Sequence, residues 1–450
     1  MPTRREFLER VLVAAVAPAC LSAGQEPAAE SISLTGDPRT VGRKFGQLNG
    51  AHIRMHAGRV LRSWKDKNLS EQTIHDRCKP FRRFAAKFAP AWMEEIEATA
   101  TAADLPAEQY LAYLAGKYRG LFLLDECTSF LAVGAAAADG VSLFHKNRDN
   151  TAREQAAYYK RVLHASRPAG FFATGDTSDV GLMMMVNEHG LAGSADTGGL
   201  REDRPKGRGV ANPYILRLIA ERAECCRHAL EIIQQMIRDG WYAGGNRTGT
   251  HWLFADRTGT GLRVAQNSHE EKHWFLQDQV AFLARDKTPA ARALAEQKGR
   301  ITVRQMNAAA AAPDICFTSS ISAMTVRIDP QRPAELSTVW FSLPAWNVYL
   351  PLPAVGAAAP RQLVDGSLFH AAYRLLPLAA ITAKRGVQFR GEFAQRRSRL
   401  QESFYAESDW LERSIRAACA RGAKDEAARL AAEGAARCTA RLMQLLESAA

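Results

Sequence analysis

Residues 120–133 read Gly-Leu-Phe-Leu-Leu-Asp-Glu-Cys-Thr-Ser-Phe-Leu-Ala-Val, a thiol set inside an apolar, strand-like run. Two acids, Asp125 and Glu126, stand directly before Cys127, where a buried strand does not normally accept charge. Past the Asp139-Gly140 turn a second apolar run ends in Lys146-Asn147-Arg148-Asp149. A tight hairpin centred on that turn sets Cys127 opposite residue 152 and leaves Asp149 about 10 Å along the strand, at roughly 3.3 Å per residue. A longer loop or a bulge among Ala135–Ala138 closes that gap. A cysteine so placed reads in two ways: a buried structural thiol, or a nucleophile with a charged cluster folded toward it.

Outward from this hairpin, the chain alternates in class. Residues 40–118 carry helical spacing, with Glu71–Phe88 and Ala91–Thr101 as helices and Asp104-Leu105-Pro106 opening another. Between 121 and 200 short apolar runs, Val141–Lys146 and Val180–Val186 among them, alternate with turns and predict antiparallel strands. Asn212-Pro213 starts one long amphipathic helix running to about Asp239. Strands return at His251–Asp256, Gly261–Gln266, Val280–Ala284, Ser320–Ile328 and Ser337–Leu343. Residues 366–450 are helical again and end in an Ala-rich helical pair, while Ala308–Ala312 reads as a surface or linker stretch. Helices, then strands, then helices predict an α+β fold in which helical layers cover sheets.

The first 24 residues read as an export signal. Arg4-Arg5 precede Phe7-Leu8, the apolar segment Val11–Leu21 is too short for the roughly 20 residues a bilayer needs, and Ser22-Ala23-Gly24 supplies small residues for cleavage. No other stretch is long and apolar enough to predict a stable membrane span. The net charge of +12 is scattered, and no basic run interleaved with aromatics marks a nucleic-acid groove. The cysteines form no Cys-x-x-Cys pair and the histidines fall at no zinc spacing, so neither a metal nor a cofactor is expected. Seven cysteines follow the signal; an oxidising compartment permits disulfides among Cys78, Cys316, Cys419 and Cys438, and the odd count leaves one thiol free. Cys225-Cys226 is read as helix packing. Oligomeric state is left open.

Four further motifs follow Cys127-Thr128-Ser129 in order: Lys146-Asn147-Arg148-Asp149, Asn187-Glu188-His189-Gly190-Leu191, His251-Trp252-Leu253-Phe254-Ala255-Asp256, and Ser320–Pro330 with Val339-Trp340-Phe341-Ser342-Leu343-Pro344. Together, over roughly residues 120–350, they resemble the cysteine N-terminal-nucleophile (Ntn) hydrolases of the acyl-coenzyme A:6-aminopenicillanate acyltransferase family, related to penicillin V acylase and conjugated bile acid hydrolase. The resemblance implies a four-layer α-β-β-α sandwich and an enzyme that cleaves, or transfers the acyl group of, a small N-acyl linear amide, with acyl-coenzyme A as a further partner. It implies self-cleavage between Glu126 and Cys127, giving a mainly helical small chain (25–126) and a catalytic chain (127–450). The freed α-amine, with an ordinary pKa near 7.7–8.0, then serves as base for the Cys127 thiol.

By the same resemblance Lys146 lowers the thiol pKa and Asp149 orients the amine. Asn187 precedes a loop whose backbone near Asp196 and Thr197 donates to the oxyanion. His251 is given no catalytic role. The chain departs from the family at Ala284-Arg285-Asp286, where relatives carry Thr-Asn; either Arg285 takes over as a cationic donor or the donor comes from elsewhere. Glu126 replaces the more usual Gly before the nucleophile. Two other readings stand beside this one: an unprocessed thiol hydrolase of ester or lipid substrates, and a non-catalytic secreted binding protein of the same fold.

Overall fold

The structure is a computed structural model that describes residues 30–117, 127–150, 154–201, 209–242, 249–383 and 386–449. The twin-arginine segment, Asp125 and Glu126 lie outside the described residues. In chain order the strands are β1 (Ser31–Ile32), β2 (Leu34–Gly36), β3 (Thr128–Ala132), β4 (Ser142–Asp149), β5 (Gln155–Val162), β6 (Phe171–Asp176), β7 (Met184–Asn187), β8 (Leu191–Thr197), β9 (Thr250–Asp256), β10 (Thr260–Gln266), β11 (Glu271–Gln277), β12 (Val280–Phe282), β13 (Ser320–Ile328), β14 (Thr338–Leu343) and β15 (Val348–Leu352). Among the described residues two sheets carry most of these strands. One has eight, ordered β11-β10-β9-β8-β7-β6-β5-β2, and the other six, ordered β12-β3-β4-β13-β14-β15.

The sheets pack face to face through β3, β4 and β13 against β8 and β9. Polar contacts cross the gap: Ser129 Oγ lies 2.9 Å from Ser194 Oγ, and Ser142 Oγ donates to the Asp256 carbonyl at 2.6 Å. Helices cover both outer faces. α1 (Pro38–Asp66), α2 (Glu71–Phe88), α3 (Ala91–Ala102) and α4 (Ala107–Lys117) form the N-terminal layer. They are followed by α5 (Asn212–Arg222) and α6 (Cys226–Arg238), which lie on β7–β10. α7 (Pro289–Ala295) and α8 (Val303–Ala310) lie on β4, β12 and β13, and the pair α9 (Gly391–Ala420) and α10 (Lys424–Glu447) packs against β15. The order of layers is α-β-β-α, as expected.

The hairpin differs from expectation in a way that matters. Thr128 faces Asn147 and Ser129 faces Lys146, so continuing the ladder sets Cys127 opposite Arg148 rather than residue 152. The connection is a long loop. It holds a 3-10 turn at Gly134–Ala136, and the Asp278 carboxylate accepts from the Ala135 N–H at 2.7 Å. Gly134 sits at φ 58°, and a Cβ there would come within 2.3 Å of Asp278 Oδ1, so glycine is required. The extra loop residues bring Asp149 beside the thiol.

Two other expectations are corrected. The helix read from Asn212 to Asp239 is broken at residues 223–225, so Cys225 precedes α6 and Cys226 opens it. Ala309 and Ala310 are buried at the end of α8, a helix started by a Thr302–Gln305 capping box, so Ala308–Ala312 is no surface linker. No disulfide joins the seven described cysteines. No helix among the described residues is long and apolar enough to cross a membrane.

The N-terminal helices are fastened to the larger sheet by buried charge. Glu95 on α3 takes Lys160 of β5 at 2.7 Å and Arg217 of α5 at 2.5 Å, all three side chains being at most 1 % exposed. Burial alone would raise the Glu95 pKa, but Arg217 and Lys160 outweigh it and hold the carboxyl down at about 2. Lys117, the last residue of α4, pairs with Asp176 and Asp179, and Asp176 also takes Arg148 at 2.6 Å. Glu95→Gln strands two buried cations, and breaking such a pair costs about 3–5 kcal/mol, so in a chain of this length the melting temperature should drop by about 3–6 °C. Because the folded pKa is depressed, the wild-type contribution is full above the unfolded value of 4.5 and disappears as pH falls toward about 2. Thermal unfolding of both proteins from pH 7 to pH 3 checks this; equal melting temperatures at pH 7 would refute it.

Candidate active site

β3 and β4 present alternate residues to the gap between the sheets. The Ser129–Ser194 contact fixes which set faces inward: Cys127, Ser129, Lys146 and Arg148 from one sheet, Ser194 and Asp196 from the other. Lys146 spans the gap. Its Nζ lies 2.8 Å from Asp196 Oδ1 and donates to the carbonyls of Ala195 at 2.8 Å and Met183 at 3.2 Å. Both partners are almost fully buried, and neither Asp196 oxygen has a hydrogen bond of good geometry, so the contact is chiefly Coulombic.

Cys127 is partly buried and precedes β3. Burial is the main force raising its thiol pKa to about 11; Lys146 opposes this, the Asp196 and Asp149 carboxylates add to it, and a hydrogen bond from the Asp149 backbone again lowers it. The group is therefore a thiol at neutral pH. Asp149 ends β4. Its Oδ1 accepts from Ser320 Oγ, and its Oδ2 lies 4.0 Å from an Arg285 nitrogen.

Arg285 follows β12 in the left-handed region at φ 65°, a conformation costing an L-residue about 1–2 kcal/mol. Its guanidinium stacks on Phe317 at 3.9 Å and donates to the Asp314 carbonyl at 3.4 Å. The arginine is thus turned toward Asp149, with which it forms an ion pair. Thr197 closes β8 beside Asp196 and leads into Gly198 and Gly199, both at positive φ. A Cβ on Gly199 would meet the Thr250 carbonyl at 2.5 Å, so the main chain makes a turn there that side chains forbid.

Asn187 is not brought to the thiol. It ends β7, at the turn that leads into the far end of β8, about 20 Å from Thr197 at roughly 3.3 Å per residue. Its amide donates to the carbonyls of Ala220 and Ala223 at 3.2 and 2.7 Å, and its Oδ1 accepts from the His189 and Leu191 N–H groups at 3.1 and 3.0 Å. Asp256 does the complementary job: its Oδ2 accepts from the Cys226 N–H at 2.9 Å. These two motif residues end α5 and start α6, which is why the predicted single helix breaks. The reading of Asn187 as a site residue is corrected to a scaffold role.

The sequence reading missed three members of the cluster. Asp196 was considered only for its backbone, Arg148 only as a charge in a run, and Ser320 only as a strand start. The signal for Asp196 was an acid two residues beyond a small residue on an inward-facing strand, a position that needs a buried cation opposite. Among the described residues no group of histidine, cysteine or acidic side chains is arranged to hold a metal.

The profile of the family described as acyl-coenzyme A:6-aminopenicillanic acid acyl-transferase matches residues 136–279, about a third of the chain. That segment takes in Lys146, Asp149, Asn187 and Thr197 and excludes Cys127 and Arg285. A search of curated proteins gave no match. Among solved structures, a variant of conjugated bile acid hydrolase from Clostridium perfringens is similar at 12% identity and a TM-score of 0.36, covering 50% of this chain and 92% of that one. A Caenorhabditis elegans ortholog of N-acylethanolamine-hydrolyzing acid amidase is similar at 10% identity and 0.35, covering 46% and 94%. Penicillin V acylase from Agrobacterium tumefaciens is similar at 12% and 0.34, covering 50% and 86%. The profile match supports an Ntn-type hydrolase or acyltransferase, and over residues 136–279 the chain resembles the acyl-coenzyme A:6-aminopenicillanic acid acyl-transferase family.

Proposed function

We propose that the protein is an exported cysteine amidohydrolase or acyltransferase that acts on a small N-acyl compound and matures by cleaving itself before Cys127. The observation that carries this reading is the inward-facing Cys127 thiol, set among Lys146, Asp196 and the Asp149 backbone at one end of the inter-sheet gap. In maturation the thiol attacks the residue 126 carbonyl, the C–N bond breaks to leave a thioester and free the α-amine of Cys127, and water hydrolyses the thioester to release the carboxyl of 126 and restore the thiol. The new amine takes the thiol proton during attack on substrate and returns a proton to the leaving amine. Asp149, anchored by Ser320, orients that amine, and Lys146 favours the thiolate. Arg285, or main-chain N–H groups at Thr197 and beyond, receive the negative charge of the tetrahedral oxygen.

Turnover of an N-acyl aminocoumarin tests the roles. Cys127→Ala should abolish amine release. Arg285→Ala should lower kcat by about 10²–10³-fold, the usual cost of one oxyanion donor, and Arg285→Asn should recover part of it. Amide turnover by Cys127→Ala would end the nucleophile assignment, and a wild-type rate in Arg285→Ala would end the donor role.

The thiol environment can be read separately by alkylation of Cys127, mapped by peptide mass spectrometry on chain purified before cleavage. A thiol pKa near 11 instead of 9.0 leaves about 10²-fold less thiolate at pH 8, so iodoacetamide should react about that much more slowly than with a cysteine peptide. Asp196→Asn removes an acid that favours the protonated thiol and should speed labelling. Lys146→Met removes the opposing cation and should slow it. Equal rates in all three chains would contradict the electrostatic account.

A further inference from the structure

We propose that the inner face of β9–β11 is a recognition site for an anionic group on the amine portion of the substrate, with Arg263 as the receiving cation. The word substrate rests on the function proposed above; the site itself rests on the geometry of this face. Cross-strand pairs share a face, so Asp196, His251 and Ala265 form one row, and Ser194, Leu253, Arg263 and Trp274 the next. Both rows face the gap that holds Cys127, because Ser194 and Asp196 do.

Arg263, half-buried, stands apart from the buried cations of the molecule. Lys146 has Asp196, Lys160 and Arg217 have Glu95, and Arg148 has Asp176. Among the described residues Arg263 has no carboxylate within ion-pair distance, and its Nε is buried without a hydrogen-bond partner. Its guanidinium lies 5.5 Å from the Trp274 ring, and that residue is 47 % exposed. His251, between Arg263 and Asp196, is held below its ordinary pKa by burial and then by Arg263. Lys272, opposite Ala265, adds a second cation to the same face.

The face is open because β12, the edge of the smaller sheet, is three residues long and β11 is the edge of the larger. From Asp196 on β8 to Arg263 on β10 is two strand spacings, about 10 Å. An anion bound there is therefore carried some distance from the scissile amide.

Two fluorescent amines that differ only in charge test this without turnover: 7-aminocoumarin-4-acetate and 7-amino-4-methylcoumarin, titrated against the protein as purified. The acetate should bind about 10- to 100-fold more tightly, the range of a hydrogen-bonded charge. Arg263→Gln should erase the preference and Arg263→Lys should retain part of it. Equal affinities in the unaltered protein, no binding of either amine, or a preference that survives Arg263→Gln would overturn the proposal. Release of the same two amines from their N-hexanoyl amides separates this from the function itself. A binding preference without release leaves the site standing and the hydrolase reading refuted. Release that is indifferent to Arg263→Gln does the reverse.

Discussion

The Lys146 ammonium, buried between two sheets, is the constraint on which the active end of the molecule depends. A charge there is tolerable only with an opposite charge and acceptors at hand, and Asp196, Ala195 and Met183 supply them from the facing sheet. That requirement fixes β4 against β8. The long loop at Gly134–Ala136 then sets the register that brings Cys127 next to the end of β4. A one-residue slip would turn Lys146 away from the gap and leave both charges unpaired. Position of the thiol and pairing of the lysine are thus one physical fact.

The same logic holds at the opposite layer. Glu95, Lys160 and Arg217 join helix to sheet, and Lys117, Asp176 and Arg148 continue the network to the residue opposite Cys127. Trp92 adds a neutral clamp, its indole N–H donating to Glu221 at 2.8 Å. After a cut before Cys127 the contacts of Glu95, Trp92 and Lys117 would keep the helical segment docked, since each of them joins residues on opposite sides of the cut. The larger sheet is therefore both a wall of the gap that holds Cys127 and the seat of the N-terminal helices.

Much of this was legible in the sequence, where local chemistry decides. Helical spacing in Glu71–Phe88, the paired C-terminal helices, and the strands around Cys127, Asp149 and Ser320 all follow from periodicity. The α-β-β-α layering came from resemblance, because periodicity alone gives only helices covering sheets. What failed did so for long-range reasons. The helix break at residues 223–225 depends on Asn187 and Asp256, distant in sequence, and the hairpin register depends on Asp278 holding the loop. β11, with Trp274 and Phe275 exposed, lacks the apolar alternation that marks a half-buried strand. Asp196 could be recognised as a partner only once the opposite sheet was in place.

The central claim is that Cys127 becomes a new N-terminus. The most direct measurement is an intact mass spectrum of the purified protein under denaturing conditions, with the amino terminus of each chain sequenced. The account predicts two chains that co-purify until denatured: a small one ending at Glu126 and a large one comprising residues 127–450. A single uncleaved chain that hydrolyses amides at full rate, or a large chain beginning at any residue other than Cys127, would contradict it.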